Sequence, residues 1–411
     1  MGLADIKAAL YHWGRVRELA RQVGDGAEAA ALTVVACSQA LTHGWRMGAS
    51  ATEWAELFEE GCAAAQRAGN LAALAALNAM YGVVRGHNLG IAYDWVRYAG
   101  EAVQIADRTG GAALRCGTRA SLMFGHEYVG QLREAERVAG ELIELAHEDR
   151  HFGVEVTGFS PLLAARVVRP LCIGYTRDPA TFLRELPLVR QVALDRGYPE
   201  QALWMSFNGA ELKYALGSSD GMRALAQAAV RLAENLGVGN EILAALAQCA
   251  ALACDREWQP LSDAAGDTLR LIRDRGAMRL FEPSFLAHVG TAQLELGNLE
   301  AGRAAAEDGV VFMRESKGVW SPHCYAVLAR AQLELGEPAA DIARTLDEYA
   351  ALLERTEFHL FEGELHELRA RLADREGHHA EQAAALQRAR DCYTRFGMTA
   401  QAARVKEALG I

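Results

Sequence analysis

A period of about 40 residues runs through most of this chain. The hexapeptide Ala-Gln-Leu-Glu-Leu-Gly occurs at 292–297 and again at 331–336. Glycines recur at a similar interval in two interleaved series, which are offset from each other by about half a period. These series are Gly90, Gly130, Gly217, Gly297, Gly336 and Gly377, and then Gly69, Gly110, Gly153, Gly197, Gly237, Gly276, Gly318 and Gly397. Because glycine readily ends a helix in the left-handed conformation, the series predict helices of about 17–20 residues joined by tight turns.

Three further positions complete the pattern of helix ends. Glu357 stands where the second glycine series lacks a glycine. Arg256 lies near a weaker helix stop of the first series, and Gly174 lies near a degenerate copy of the same stop. Between the stops, strong helix formers dominate, proline is scarce, and segments such as 225–236 repeat apolar residues at spacings of three and four. We therefore predict an all-α, right-handed superhelical solenoid of about nine antiparallel helix pairs.

The predicted array has three parts. A leading helix and linker cover 1–26, the repeats cover 27–397, and a capping helix covers 398–411. No single pair buries its apolar face alone, but stacked neighbours do so together.

Charge and apolar content exclude several classes of partner. The formal net charge is −11, and only four of the 42 basic residues are lysine, a skew typical of GC-rich bacterial genomes. Nucleic-acid binding requires neutralisation of phosphates, which an acidic chain without a basic stripe supplies poorly. The longest apolar runs, such as 29–37, are shorter than the ~20 residues of a bilayer span, and 1–5 lacks the features of a signal peptide. We expect a cytoplasmic protein that binds no nucleic acid, no membrane and no cofactor.

Two segments resemble the middle of tetratricopeptide repeats, where a turn glycine precedes a large apolar residue and a small alanine. They are Tyr-Val-Gly-Gln-Leu-Arg-Glu-Ala at 128–135 and Leu-Gly-Asn-Leu-Glu-Ala at 296–301. A period near 40, longer than the usual ~34, resembles the repeats of signal-transduction ATPases in the clan of the maltose-operon activator. Gly-Phe-Ser-Pro at 158–161 and the ending at 395–404 resemble the C-terminal region of bacterial class III adenylate/guanylate cyclases, in which cyclase and ATPase domains precede the repeats.

This resemblance implies a non-catalytic, protein- or ligand-binding regulatory module. The chain contains no Gly-x-x-x-x-Gly-Lys-Ser/Thr phosphate loop and no cyclase aspartate pair in a strand context. The resemblance therefore implies the repeat region of a larger signalling protein, in contact with its upstream domains, or a relative that has lost its enzyme domains. An alternative is a small-molecule sensor that holds its ligand in the concave groove.

A second alternative is a zinc-dependent hydrolase. His147 and His151, with Glu148 between them, fit the pattern of two histidines one helical turn apart with a glutamate base. The equivalent segments of other repeats are polar helix ends, and a catalytic zinc requires a rigid site and a third ligand. The pattern therefore favours a solvated helix end over a metal site.

The concave face of the middle repeats is the predicted binding surface for a protein, a peptide or a small ligand. In such arrays the first helix of each pair lines this face, and counting back from the turn glycines assigns residues to it. Arginine and aromatic side chains typically dominate the binding energy of such surfaces, although packing between helices and pairing with carboxylates would explain the same residues. The candidates are Arg119, Phe124, Glu127, Arg166, Arg169, Trp204, Phe207, Asn208, Glu211 and Tyr214.

Overall fold

The computed structural model describes residues 3–24, 26–109, 111–147, 149, 151–237, 239–316, 318 and 322–410, with the main chain alone for 3–5. These residues form helices, turns and loops, and none of them lies in a strand. None of their helices has the length and apolar content needed to cross a bilayer. The predicted all-α, tetratricopeptide-like solenoid is confirmed.

The described residues form nine antiparallel helix pairs between a leading and a closing helix. The first helices of the pairs are α2 Ala27–Gly44, α4 Leu71–His87, α6 Ala112–Tyr128, α9 Pro161–Thr176, α11 Pro199–Ala215, α13 Asn240–Cys254, α15 Glu282–Glu295, α17 His323–Leu335 and α19 Glu362–Arg375. The second helices are α3 Ala51–Arg67, α5 Ala92–Thr109, α7 Leu132–Ala146, α10 Pro179–Asp195, α12 Met222–Leu236, α14 Trp258–Arg275, α16 Leu299–Ser316, α18 Ala339–Thr356 and α20 His379–Arg395. The leading helix is α1 Leu3–Val23, the closing helix is α21 Thr399–Ala408, and a one-turn helix, α8 Val154–Thr157, precedes the fourth pair.

Left-handed residues end helices where the sequence indicated. Twelve of the glycines in the two series have φ between 61° and 83°. Glu357 and Arg256, which stand at two of the predicted stops without being glycine, also have positive φ, 58° and 59°. Gly318 has no positive φ, and Gly174 lies inside α9, which continues to Thr176. Gly110 lies outside the described residues.

Successive turns of the superhelix pack against each other, with each early pair contacting the pair five positions later. Gly90, after α4 in the second pair, lies so close to α16 in the seventh that an added Cβ would stand 2.6 Å from the Phe312 ring. At Gly130, after α6, a Cβ would stand 2.5 Å from the side chain of Thr356 at the end of α18. One superhelical turn therefore takes about five pairs.

The concave face is consequently filled by side chains from the opposite side of the superhelix. A short 3₁₀ turn, Arg279–Phe281, brings Phe281 within 5.8 Å of the His87 ring and 6.1 Å of the Tyr128 ring, measured between centroids. The backbone N–H of Met278 donates a 3.2 Å hydrogen bond to the side-chain oxygen of Asn88. The first helices of the first six pairs thus surround a common interior.

Candidate functional site

An internal cavity of about 50 Å³ lies where these first helices converge. By the same measure one ordered water needs roughly 10–15 Å³, so the cavity is larger than a packing defect. Its walls come from every pair between the first and the sixth. The lining residues are Trp45, Met80, Val83, His87, Trp95, Ser121, Phe124, Glu127, Tyr128, Thr157, Phe159, Val167, Trp204, Phe207, Asn208, Leu243 and Met278.

Aromatic residues are enriched in the wall: they are seven of its 17 lining residues, in a chain where aromatics are only 7% of residues. The rings of Phe124, Phe159 and Trp204 meet edge to face, with centroids 5.1–5.8 Å apart. Trp95 stacks on Tyr128 at 5.2 Å. These offset and edge-to-face contacts are the favourable arrangements for ring quadrupoles, so the wall is a mutually supported unit.

Local sequence places these rings. Trp95 packs against Gly82 and Gly86 of α4, where an added Cβ would clash with the indole. Gly158 ends α8 with φ 76°, and Ser160 then caps α9 by accepting a hydrogen bond from the Leu163 N–H. The short extra helix and this sharp entry bring Phe159 into the cavity wall. The Gly-Phe-Ser-Pro segment thus ends α8, begins α9 and places Phe159 in the wall.

The polar groups of the wall fall into two sets. Ser121 accepts from the Trp95 indole N–H and donates to the Ala79 carbonyl, and Thr157 donates to the carbonyls of Gly153 and Phe159. In contrast, three other lining residues each carry a buried atom with no hydrogen-bond partner among the described residues. These atoms are Nδ1 of His87, Oε2 of Glu127 and Oδ1 of Asn208.

The unpartnered groups are almost completely enclosed. His87, Glu127 and Asn208 are 6%, 5% and 5% exposed. Burial raises the pKa of Glu127 from 4.5 to about 8, and burial followed by the charge of Arg46 lowers the pKa of His87 to about 3. At neutral pH both side chains are therefore mostly uncharged. Leaving a buried polar atom unpaired costs roughly 1–3 kcal/mol, so three such atoms around one cavity indicate a site for a partner.

Half of the predicted groove residues meet at this cavity. They are Phe124, Glu127, Trp204, Phe207 and Asn208. Glu211 and Tyr214 lie further along α11, outside the lining: Glu211 is 3.9 Å from His288, and the Tyr214 ring lies 5.2 Å from the rings of His288 and His323.

The predicted arginines lie elsewhere. Arg119 is bound to Asp107 at 2.8 Å and to Glu141 at 3.4 Å, with 11% of its side chain exposed. Arg166 and Arg169 line a separate surface groove between α7, α9 and α10. The expected cluster of arginine and aromatic side chains is therefore divided among four places: the cavity, the Tyr214 contact, the Arg119 ion pairs and this groove.

The two histidines of the zinc pattern do not share a helix. α7 ends at Ala146, and His147 follows it with φ 43°. The His151 ring nitrogen Nδ1 lies 2.9 Å from the Tyr198 hydroxyl. Glu148 lies outside the described residues, and among those described no group of three His, Cys, Asp or Glu is placed to hold a metal ion.

Sequence reasoning missed several residues of the wall, including His87, Trp45, Trp95, Phe159 and Met278. His87 stands three residues before Gly90, just as Glu127 stands three residues before Gly130. Counting back from the turn glycine of the preceding repeat would therefore have identified His87. The other four lie outside first helices, and nothing in the repeat register points to them.

Fold and interior together define a tetratricopeptide-like α-solenoid with an aromatic-walled cavity. No protein-family model matches the sequence, and no curated protein matches it. Among solved structures, the Rap protein complexed with competence and sporulation factor is 10% identical, covers 97% of this chain and 99% of its own, and has a TM-score of 0.42. Yeast Tom70 is 11% identical, covers 98% and 97%, and has a TM-score of 0.35.

Proposed function

We propose that this chain is a non-catalytic binding module that encloses a small ligand in the cavity between its first six helix pairs. The observation that carries this proposal is the set of three unpartnered, buried polar atoms on His87, Glu127 and Asn208 around a single aromatic-walled space. Ligand sites typically combine apolar and aromatic walls with a few polar groups that fix orientation.

The filled concave face favours a small molecule over an extended peptide at this position. Phe281 packs against His87, Tyr128 and Phe207 from across the superhelix, where a peptide in an open groove would run. Binding would also stabilise the contacts between successive turns, which gives the module a way to report occupancy to attached partners.

The test uses small alcohols, from ethanol to isobutanol, and tryptophan fluorescence, to which the three tryptophans of the wall contribute. We expect a saturable change in the wild type and its loss in Val83→Phe, which fills the cavity with a larger side chain. Val311→Phe is the matched control, since Val311 is 40% exposed on α16. If no alcohol produces a saturable change in the wild type, the cavity is not a binding site.

We further propose, on the resemblance alone, that the module regulates a bacterial signalling ATPase or nucleotidyl cyclase. The genomic reading frame that contains this sequence tests the proposal directly. A neighbouring or fused cyclase or ATPase domain would support it, and unrelated surroundings would overturn it without affecting the proposed cavity.

A further inference from the structure

The chemistry of the cavity wall distinguishes among possible ligands. The described lining contains seven aromatic side chains, one carboxyl group and one amide, and no lysine or arginine. Aromatic faces carry partial negative charge and attract cations, most strongly where water is excluded. A carboxylate ligand would find no cationic side chain here, and it would face Glu127.

The unpartnered atoms of Glu127 and Asn208 are oxygens that accept hydrogen bonds. An ammonium group presents three donors and no acceptor, so it satisfies such oxygens without leaving a lone pair unpaired. Burial of a cation is costly unless a carboxylate accompanies it, and Glu127 supplies that carboxylate inside the wall.

Arg46, whose charge acts on His87, is already neutralised by Glu200. Arg46 lies over the Trp45 ring at 4.2 Å, and both oxygens of Glu200 accept hydrogen bonds of 2.8–2.9 Å from its guanidinium. His87 stays uncharged above its pKa of about 3. The wall therefore offers one unpaired acidic group and no cationic group among its described residues.

We propose that this cavity binds a small organic cation, a primary ammonium on a compact apolar body, held by Glu127 and Asn208 within the aromatic wall. This inference rests on the proposed function, since it names the ligand class of the same site. The hydrocarbon part lies against the rings, and the ammonium donates to the two oxygens.

Proton release on binding would distinguish an ammonium ligand from a neutral one. Without ligand the Glu127 carboxyl keeps its proton up to its pKa of about 8. An ammonium beside it favours the carboxylate, so the acid proton leaves to solvent and the ammonium retains all three of its own. Its titratable neighbours Tyr128, Cys172 and Tyr175 have pKa values raised by burial, and none of them changes charge between pH 5 and 8. Affinity should therefore rise by up to about tenfold per pH unit between about pH 5 and 8.

Each amine is compared with the alcohol of the same shape: ethylamine with ethanol, and isobutylamine with isobutanol. Titration calorimetry at pH 7 in two buffers of different ionisation enthalpy measures both affinity and protons released. We expect the amine to bind at least tenfold more tightly than its alcohol, with release of close to one proton. Glu127→Gln should abolish the preference, while Glu241→Gln should preserve it.

Glu241 is a matched control because its carboxylate also has an unpartnered oxygen, yet it lies on α13 outside the lining. If amine and alcohol bind equally well to the wild type, the inference fails while the proposed function stands. If neither binds, both fail. An amine preference without proton release contradicts recognition by Glu127, and this measurement on the wild type requires no variant to fold.

Discussion

At the scale of single residues, Glu127 couples the interior to pH. Its carboxyl has a pKa of about 8 in the folded protein and 4.5 when solvated. As pH rises from 4.5 to 8, the unfolded chain loses this proton and the folded chain retains it, so the unfolded state is increasingly favoured. The contribution to stability is lost with rising pH, at up to about 1.4 kcal/mol per pH unit.

Glu127→Gln removes this dependence. We expect the variant to gain stability relative to the wild type as pH rises from 5 to 8, as measured by denaturant unfolding at several pH values. Glu53→Gln is a control that should leave the pH profile parallel to the wild type over this range. Hydrogen bonds at the Ser50 cap lower the pKa of Glu53 below 4.5, so this carboxyl is ionised in both the folded and the unfolded state between pH 5 and 8. Parallel pH profiles for Glu127→Gln and the wild type would contradict the assignment.

Trp204 and Arg169, which the sequence placed on one binding face, should now behave differently. Trp204 is 8% exposed and packs against Phe124 and Phe159, so Trp204→Ala should cost about 3–5 kcal/mol of stability and reduce binding in the cavity. Arg169 is exposed, so Arg169→Ala should leave the melting temperature nearly unchanged. Equal melting temperatures for the two variants would show that Trp204 is not part of the wall.

At the scale of helices, two helix-ending glycines differ in their surroundings alone. Gly130 and Gly297 have φ of 76° and 83°, so alanine is similarly strained at both. A Cβ at Gly130 would meet Thr356 of α18, whereas one at Gly297 would have no neighbour within 4 Å. Gly130→Ala should therefore lower the melting temperature more than Gly297→Ala.

Thermal unfolding of both variants checks this expectation, and their difference measures the contact between successive superhelical turns. Both variants should lose about 1 kcal/mol or more of stability, because each forces alanine into the left-handed conformation. Equal losses at the two positions would show that the turns do not pack as described.

Helix ends also show how far sequence reasoning reaches. Glu357 and Arg256 break the glycine rule, yet their places in the period identified them as stops, and both have positive φ. These helix ends could be predicted without a glycine because the period of about 40 residues indicates where each helix should end. The same reasoning located Gly174 at a helix end although α9 continues past it, since the period does not record how far packing extends a helix.

At the scale of the whole molecule, the bidentate pair of Arg46 and Glu200 joins the first pair to the fifth. Only 8% of the Arg46 side chain and 18% of the Glu200 side chain are exposed. Removal of one partner leaves a largely buried charge without compensation, at a cost of up to about 3–5 kcal/mol, whereas removal of both leaves none. Glu200→Met should therefore destabilise the protein more than the double variant Arg46→Met/Glu200→Met.

A double-mutant cycle measured by denaturant unfolding tests this order, and hydrogen exchange locates the effect. Exchange should increase near Met278 and at the end of α4, where the Asn88 contact closes the same interior. If the double variant is less stable than both single variants, Arg46 and Glu200 stabilise the protein independently through packing, and their ion pair does not hold the first and fifth pairs together.

The sequence by itself determined the helices, most of their stops and the number of pairs, because these depend on contacts within about 40 residues that recur in each repeat. It also placed Phe124, Glu127, Trp204, Phe207 and Asn208 on inward-facing positions. Only the tertiary structure decided which inward positions share a cavity and that Arg119, Arg166 and Arg169 do not. The reason is cumulative: each pair rotates slightly against the next, and small rotations set by packing at every interface add over five pairs before distant residues meet. That sum is not encoded in any one repeat.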